Sequence, residues 1–429
     1  MLKKTKLWSI IKSINLVSVL FFWHHENPID PLGLLNSGLR PELSDFHDMR
    51  NRIFKLILIG FVILLLLITL RVIRKSSWIY PSFIPPSTLD EDMNISSVGY
   101  KIYDFEYADS NGKKQIITTA VWYPTDVVPT LYSYDTVKNK LSTGSVTSFL
   151  SLDSPIQIDN TPYPLIIFSH GGYICGTESV FLTEYLASRG FIVASPDYHD
   201  GVYLCRIRGG TSERLGYVLT QLKKFKDADT DVSIKWLEEH QRVPGTSKII
   251  DKMLELNRNQ DSVFYGMIDE NGIGIVGHSY GGRTILGLIG AHPDTSMKDN
   301  RINAAITLSG GVFPFEDTLS NIDIPIMVMQ GDDNDNLDTH NVQRRKPYDD
   351  AHPPKFFLKF RSGKHGSFYN GICEEYSTVR ECQSKNVFAQ AIDKYSYAFF
   401  QRYLKNDLSA ETQLMKSSPI LKVYEKKTS

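Results

Sequence analysis

The chain has 429 residues, 42% of them hydrophobic and 22% charged, which is the composition of a globular protein with a sizeable core. Its 47 Lys and Arg nearly balance 48 Asp and Glu, for a formal net charge of −1. No Lys/Arg-rich stripe lies beyond the N-terminus, so nucleic acid is excluded as a partner.

The first 75 residues read as a membrane anchor region. From Ile53 to Ile73 the sequence is almost wholly apolar, with Lys55 and Arg71 only at its edges and Arg50, Arg52, Arg74 and Lys75 flanking it. That length crosses a hydrocarbon core, and the pattern predicts a single transmembrane helix. Trp8 to Trp23 is also apolar but interrupted by Ser9, Lys12, Ser13 and Asn15, and reads as an interfacial helix, a second span or a signal-like segment. Residues 76–98, rich in Pro and Ser, read as a stalk, and residues 99–429 as the catalytic domain. Asn94-Ile95-Ser96 is a glycosylation acceptor pattern just beyond the membrane.

The globular part opens with alternating runs at Lys101–Ala108 and Lys114–Tyr123 around an Asp-Ser-Asn-Gly turn, a predicted hairpin. Val127 to Asn160 is polar and is expected to be an irregular surface excursion. Tyr163–Ser169, a helix over Glu178–Arg189, and Phe191–Pro196 then form strand, helix and strand, the order of a parallel crossover. Helices are predicted around 231–240 and 246–257, strands at 273–276, 304–308 and 325–330, and a last strand at 355–360. A final helix over Val387–Leu404 carries Phe388, Ile392, Tyr395, Phe399 and Tyr403 on one face. The expected fold class is α/β, a mostly parallel sheet flanked by helices.

Within that frame, Gly277-His278-Ser279-Tyr280-Gly281 stands between a strand and a helix that begins at Gly282. A sharp turn there holds Ser279 in a strained conformation above the sheet, where a base can reach its hydroxyl. Catalytic groups in open parallel sheets collect beyond the carboxyl ends of the strands. His365, in a glycine-flanked loop after the last strand, is the preferred base over His199, His340 and His352, while His278 is expected to pack beneath the turn. The loop Gly331–Asp338 holds four carboxylates, of which Asp335 is the favoured acid and Asp333 the alternative. The oxyanion donors are expected to be the backbone N–H groups of Tyr280 and of Gly172 in His170-Gly171-Gly172. Remaining carboxylates of the acidic loop are solvated or hold a cation. Asp227, Asp229, Asp231 and Glu238 have calcium-loop spacing, but Val232 stands where a glycine is required, so a helix start is the better reading. Four cysteines in loops behind an anchor suggest two disulfides, Cys175 with Cys205 and Cys373 with Cys382, and an exported domain.

Taken together, VWYPT at 121–125, PLIIFSHGG at 164–172, LASRGFIVASPDYHDG at 186–201 and GIVGHSYGG at 274–282 resemble the α/β-hydrolase superfamily. Within it they are similar to the platelet-activating-factor acetylhydrolase and dienelactone-hydrolase-like serine esterases. The resemblance covers roughly residues 99–404 and implies an α/β-hydrolase fold and hydrolysis of short, oxidised or phospholipid-type acyl esters without metal or cofactor. In plasma-type acetylhydrolases the acid follows the strand after the nucleophile helix; here Ser309 stands in that place, so the resemblance sends the acid to the next strand's loop. The expected function is therefore a membrane-tethered serine ester hydrolase with an extracytoplasmic catalytic domain. Acyl transfer by the same triad, or a non-catalytic hydrolase-fold scaffold, are the alternatives.

Overall fold

The structure is a computed structural model that describes residues 96–109, 112–138, 142–159, 162–172, 174–198, 205–209, 242–332 and 338–429. By its internal contacts the chain separates into Met1–Pro81 and Ser82–Ser429, and every described residue belongs to the second unit. The predicted span Ile53–Ile73, the glycosylation asparagine and the calcium-like spacing at 227–238 all lie outside the described residues. Among the described residues no helix is long and apolar enough to cross a membrane.

Eleven strands form one sheet: β1 Ser97–Ala108, β2 Lys114–Thr125, β3 Thr130–Lys138, β4 Ser142–Leu152, β5 Tyr163–Ser169, β6 Ile192–Pro196, β7 Ile268–His278, β8 Ile302–Leu308, β9 Ile326–Gly331, β10 Lys355–Phe360 and β11 Leu421–Lys427. The spatial order is β11-β10-β9-β8-β7-β5-β6-β2-β1-β4-β3. From β10 to β6 all neighbours are parallel. Each of these six central strands is apolar on both sides because both sheet faces are covered, so each reads in sequence as a continuous apolar run. Ile166, Phe168, Val276, Met327 and Met329 enter one core, and their neighbours Leu165, Ile167, Ile275, Ile326 and Val328 enter the other.

The described helices are α1 Val180–Ala187, α2 Val243–Arg258, α3 Tyr280–Leu286, α4 Asp338–Asp350, α5 Val379–Lys385, α6 Val387–Leu404 and α7 Ser409–Leu414. Phe181 of α1 and Phe388, Ile392 and Phe399 of α6 pack into the first core. Ile249 and Met253 of α2 and Ile285 of α3 pack into the second. Helices thus cover both faces, as expected for the α/β class. A wider helical turn, Gly287–Ala291, follows α3.

Two expectations are corrected. Thr130–Lys138 and Ser142–Leu152 are paired antiparallel strands at the sheet edge, not an irregular excursion. Their alternation is diluted by Ser and Thr: Tyr134, Val146 and Leu150 are buried while Leu131 and Phe149, directly opposite each other, are exposed. The sheet also does not end at β10. β11 adds antiparallel to it, and its Lys-rich LKVYEKK carries the charge that protects an edge strand and hides it in sequence.

Candidate active site

The turn from β7 into α3 is closed by backbone on several sides. A Cβ at Gly277 would lie 2.3 Å from Gly281 O, one at Gly281 would lie 1.9 Å from Ser169 O, and one at Gly282 would lie 2.4 Å from Gly310 Cα. Only glycine admits that approach. Between them Ser279 is held at φ 53° and ψ −112°, a conformation that a non-glycine residue keeps only when its surroundings enforce it. The enforcement is visible: Ser279 N donates to Leu308 O at 3.0 Å, and Gly311 N donates to Ser279 O at 2.9 Å.

His365 follows β10 and meets this turn. Its Nε2 lies 2.8 Å from Ser279 Oγ, and its Nδ1 lies 3.0 Å from Ser309 Oγ. The loop carrying it is pinned to the start of α1, where Ser179 Oγ donates to Phe368 O, Asn370 Nδ2 to Thr177 O and Val180 N to Asn370 Oδ1. His365 is half-buried, and desolvation pushes its pKa well below the ordinary histidine value, with His278 and Arg344 beside it acting in the same direction. Such a histidine stays in its basic, unprotonated form to lower pH than usual.

The loop after β5 completes the arrangement. A Cβ at Gly172 would stand 3.4 Å from Tyr280 Cβ, so the two residues expected to donate to an oxyanion adjoin each other. Tyr280 is the first residue of α3, and its N–H points out of the helix N-terminus. The loop's orientation is set by two buried side chains. Arg242, fully buried, donates from Nη1 to His170 O at 2.6 Å and from Nη2 to Gly171 O at 2.9 Å, and its guanidinium lies over the Tyr198 and Tyr280 rings. A trans peptide points its C=O and N–H oppositely. Turning Gly171 O onto Arg242 therefore turns the Gly172 N–H away from it. On the other side Gly171 N donates to Glu178 Oε1 at 2.7 Å, and that oxygen lies 3.1 Å from His278 Nδ1.

Ser279, His365, Gly172 and Tyr280 are thus brought together, and His278 is buried beneath the turn. Asp335, Asp333 and His199 lie outside the described residues, as does the side chain of His340; His352 is exposed. Asp332 faces Lys359 and Lys422 and takes no part. Both cysteine pairs are bonded, Cys175 to Cys205 and Cys373 to Cys382. Among the described residues there is no cluster of His, Cys, Asp or Glu suited to a metal ion. Arg242 and Glu178 were not legible as site residues. Arg242 precedes Val243-Pro244, the start of α2, and that places it at a helix entry without indicating burial.

A solved structure, ferulic acid esterase from Streptomyces cinnamoneus, superposes with a TM-score of 0.50 at 18% identity, covering 78% of this chain and 95% of its own; at that identity the likeness is one of fold. Platelet-activating factor acetylhydrolase of Canis lupus familiaris is 24% identical over 282 residues, 61% of each chain. That of Cavia porcellus is 26% identical over 292 residues, 62% of this chain and 63% of its own. The chain therefore spans less than two thirds of the length of these relatives. The profile of the family "Platelet-activating factor acetylhydrolase, isoform II" matches residues 107–350, more than half of the sequence, and the chain belongs to that family.

Proposed function

We propose that the protein is a membrane-tethered serine hydrolase of carboxylic esters, acting on short-chain or phospholipid-type acyl esters in the manner of the acetylhydrolases it is similar to. The observation that carries this reading is the 2.8 Å approach of His365 Nε2 to Ser279 Oγ at a positive-φ turn, in a chain of that family. Ser279 Oγ attacks the ester carbonyl carbon as His365 Nε2 takes its proton. The oxyanion accepts from the N–H groups of Gly172 and Tyr280, and His365 then returns the proton to the departing alcohol oxygen. Water, deprotonated by His365, releases the acid from Ser279. Asp335, with Asp333 as the alternative, orients His365 and compensates the imidazolium charge. The tether is the apolar segment Ile53–Ile73, and the two disulfides favour an extracytoplasmic catalytic domain. The reaction as written calls on no metal or cofactor.

Turnover of p-nitrophenyl esters from acetyl to palmitoyl by the full chain in detergent tests this reading. Ser279→Ala should lower kcat by about five to six orders of magnitude, and the chain-length profile reports the size of the acyl pocket. Burial lowers the pKa of His365 and the carboxylate of Asp335 opposes that, so Asp335→Asn should move the acid limb of kcat/KM to lower pH. A Ser279→Ala variant within tenfold of the parent would refute the serine mechanism. Adding an alcohol acceptor to the same assay reads out acyl transfer as ester product.

A further inference from the structure

The residue after β8 carries a contact that the mechanism above does not use. Ser309 is 1% exposed and has φ 47°, a left-handed conformation that serine adopts only when held there. It is held by its N–H, which donates to Met329 O at 2.7 Å at the end of β9. The bonds from Ser279 N to Leu308 O and from Gly311 N to Ser279 O tie its flanks to the nucleophile turn. Its main chain and Cβ are therefore fixed relative to Ser279 by backbone bonds. From that position Ser309 Oγ reaches His365 Nδ1 at 3.0 Å, while the opposite nitrogen of the same ring reaches Ser279 Oγ at 2.8 Å. The imidazole lies between two serine hydroxyls.

A ring that is to take a proton at Nε2 must carry its own proton on Nδ1, and that N–H needs an acceptor. We infer that Ser309 is a positioning residue of the reaction: its Oγ accepts the Nδ1–H of His365, selects the tautomer whose Nε2 faces Ser279, and fixes the plane of the ring. The inference rests on the serine-hydrolase reading and deepens it. The Nδ1 proton stays on the ring throughout, and the proton from Ser279 is the one that moves, onto Nε2 and then to the leaving oxygen. A neutral hydroxyl orients the ring without compensating the charge of the imidazolium, so Ser309 acts beside the carboxylate proposed for Asp335 and does not replace it. Among the described residues, the charged and titratable groups facing the ring include His278 at the end of β7, its ring centroid 5.0 Å away, and Arg344 of α4, with Glu178 and Tyr369 next to His278.

Ser309→Ala and Ser309→Asp in the full chain separate orientation from fold. Ser309→Ala should lower kcat for p-nitrophenyl acetate by about tenfold or more with KM unchanged, and slow labelling by a fluorophosphonate in proportion. Aspartate is among the residues that tolerate positive φ. Ser309→Asp should therefore fold, keep kcat within a few-fold of the parent, and move the acid limb of kcat/KM upward by about one pH unit, because a carboxylate 3 Å from Nδ1 favours the imidazolium. A merely structural serine would change thermal unfolding and leave the pH profile in place. Wild-type kcat and labelling rate in Ser309→Ala, or an unmoved acid limb in a folded Ser309→Asp, would overturn the inference while the parent's labelling at Ser279 leaves the hydrolase reading standing. A parent that is folded yet takes no label would overturn both.

Discussion

Replacing Arg242 by methionine should uncouple the oxyanion loop from the nucleophile while leaving Ser279 and His365 in contact. Methionine keeps the volume and apolar stem but removes both donors from His170 O and Gly171 O. Gly171 O retains His170 Nδ1 at 2.7 Å, so His170 O is the carbonyl that loses its charged donor. One hydrogen bond to a charged donor contributes about 1.5–3 kcal/mol, and the buried carbonyl left behind adds to the loss, so the fold should weaken by about 2–4 kcal/mol. The Gly171–Gly172 peptide is still held at Gly171 O by His170 Nδ1, and the peptide before it at Gly171 N by Glu178. The Gly172 donor is therefore loosened rather than removed, and kcat should fall by about 10–100-fold, short of the 10²–10³ of a deleted donor. KM for p-nitrophenyl acetate should change little, because the loop binds the transition state more than the ester. Arg242→Lys should rescue only in part, since an ammonium cannot serve two carbonyls with a planar fork. Urea unfolding and steady-state kinetics on both variants check this. A folded Arg242→Met enzyme with parental kcat would refute the idea that the guanidinium aims the Gly172 N–H.

Three further outcomes are expected. Burial pushes Glu184, which accepts from Tyr134 and Ser148, up to about 7. Its folded pKa lies above its unfolded one, so it favours the fold below about pH 4.5 and loses that contribution as pH rises to 7, roughly 3 kcal/mol in all; Glu184→Gln should flatten this slope in urea titrations at pH 5 and 7. Asp393 on α6 is buried without a hydrogen-bond partner among the described residues, and desolvation raises its pKa well above the carboxylate range. Asp393→Leu should stabilise the fold by about 1–3 kcal/mol at pH 8 and by less at pH 4, seen as a higher Tm. Gly281→Ala, whose methyl would meet Ser169 O, should cost about 3 kcal/mol and most of the activity, measured by urea midpoint and ester turnover.

How far the sequence foretold this molecule follows from where each segment is buried. Strands β5 to β10 are covered on both faces, and their apolar runs announced them within one or two residues, apart from an early start to β7. The nucleophile turn was legible because its glycines answer to backbone contacts of about 2 Å, a constraint few other residues satisfy. The β3–β4 hairpin escaped because its buried face mixes Val146 and Leu150 with Tyr134 and Ser148, both bonded to the buried Glu184, a half-polar packing that looks like a loop in a hydropathy pattern. β11 escaped because an edge strand is charged. Arg242 and Glu178 could not be distinguished from surface charges, since their roles arise from bonds to a loop about 70 and 7 residues away in sequence. Ser309 was noted for standing where the resemblance puts an acid, but its reach to Nδ1 depends on three strand ends meeting, which no local pattern encodes.

Cys175 lies three residues beyond Gly172, and its bond to Cys205 is sealed: the two residues are 0% and 1% exposed. A sulfur that solvent cannot touch must be oxidised before the loop closes over it. The bond is therefore made during biosynthesis, while the chain is still open and a thiol oxidant can enter. A chain made in a reducing compartment would close over two thiols and forgo roughly 3–4 kcal/mol of constraint on the segment that follows Gly172. Once formed, the bond is shielded from soluble reductants, so this loop records the compartment in which it folded.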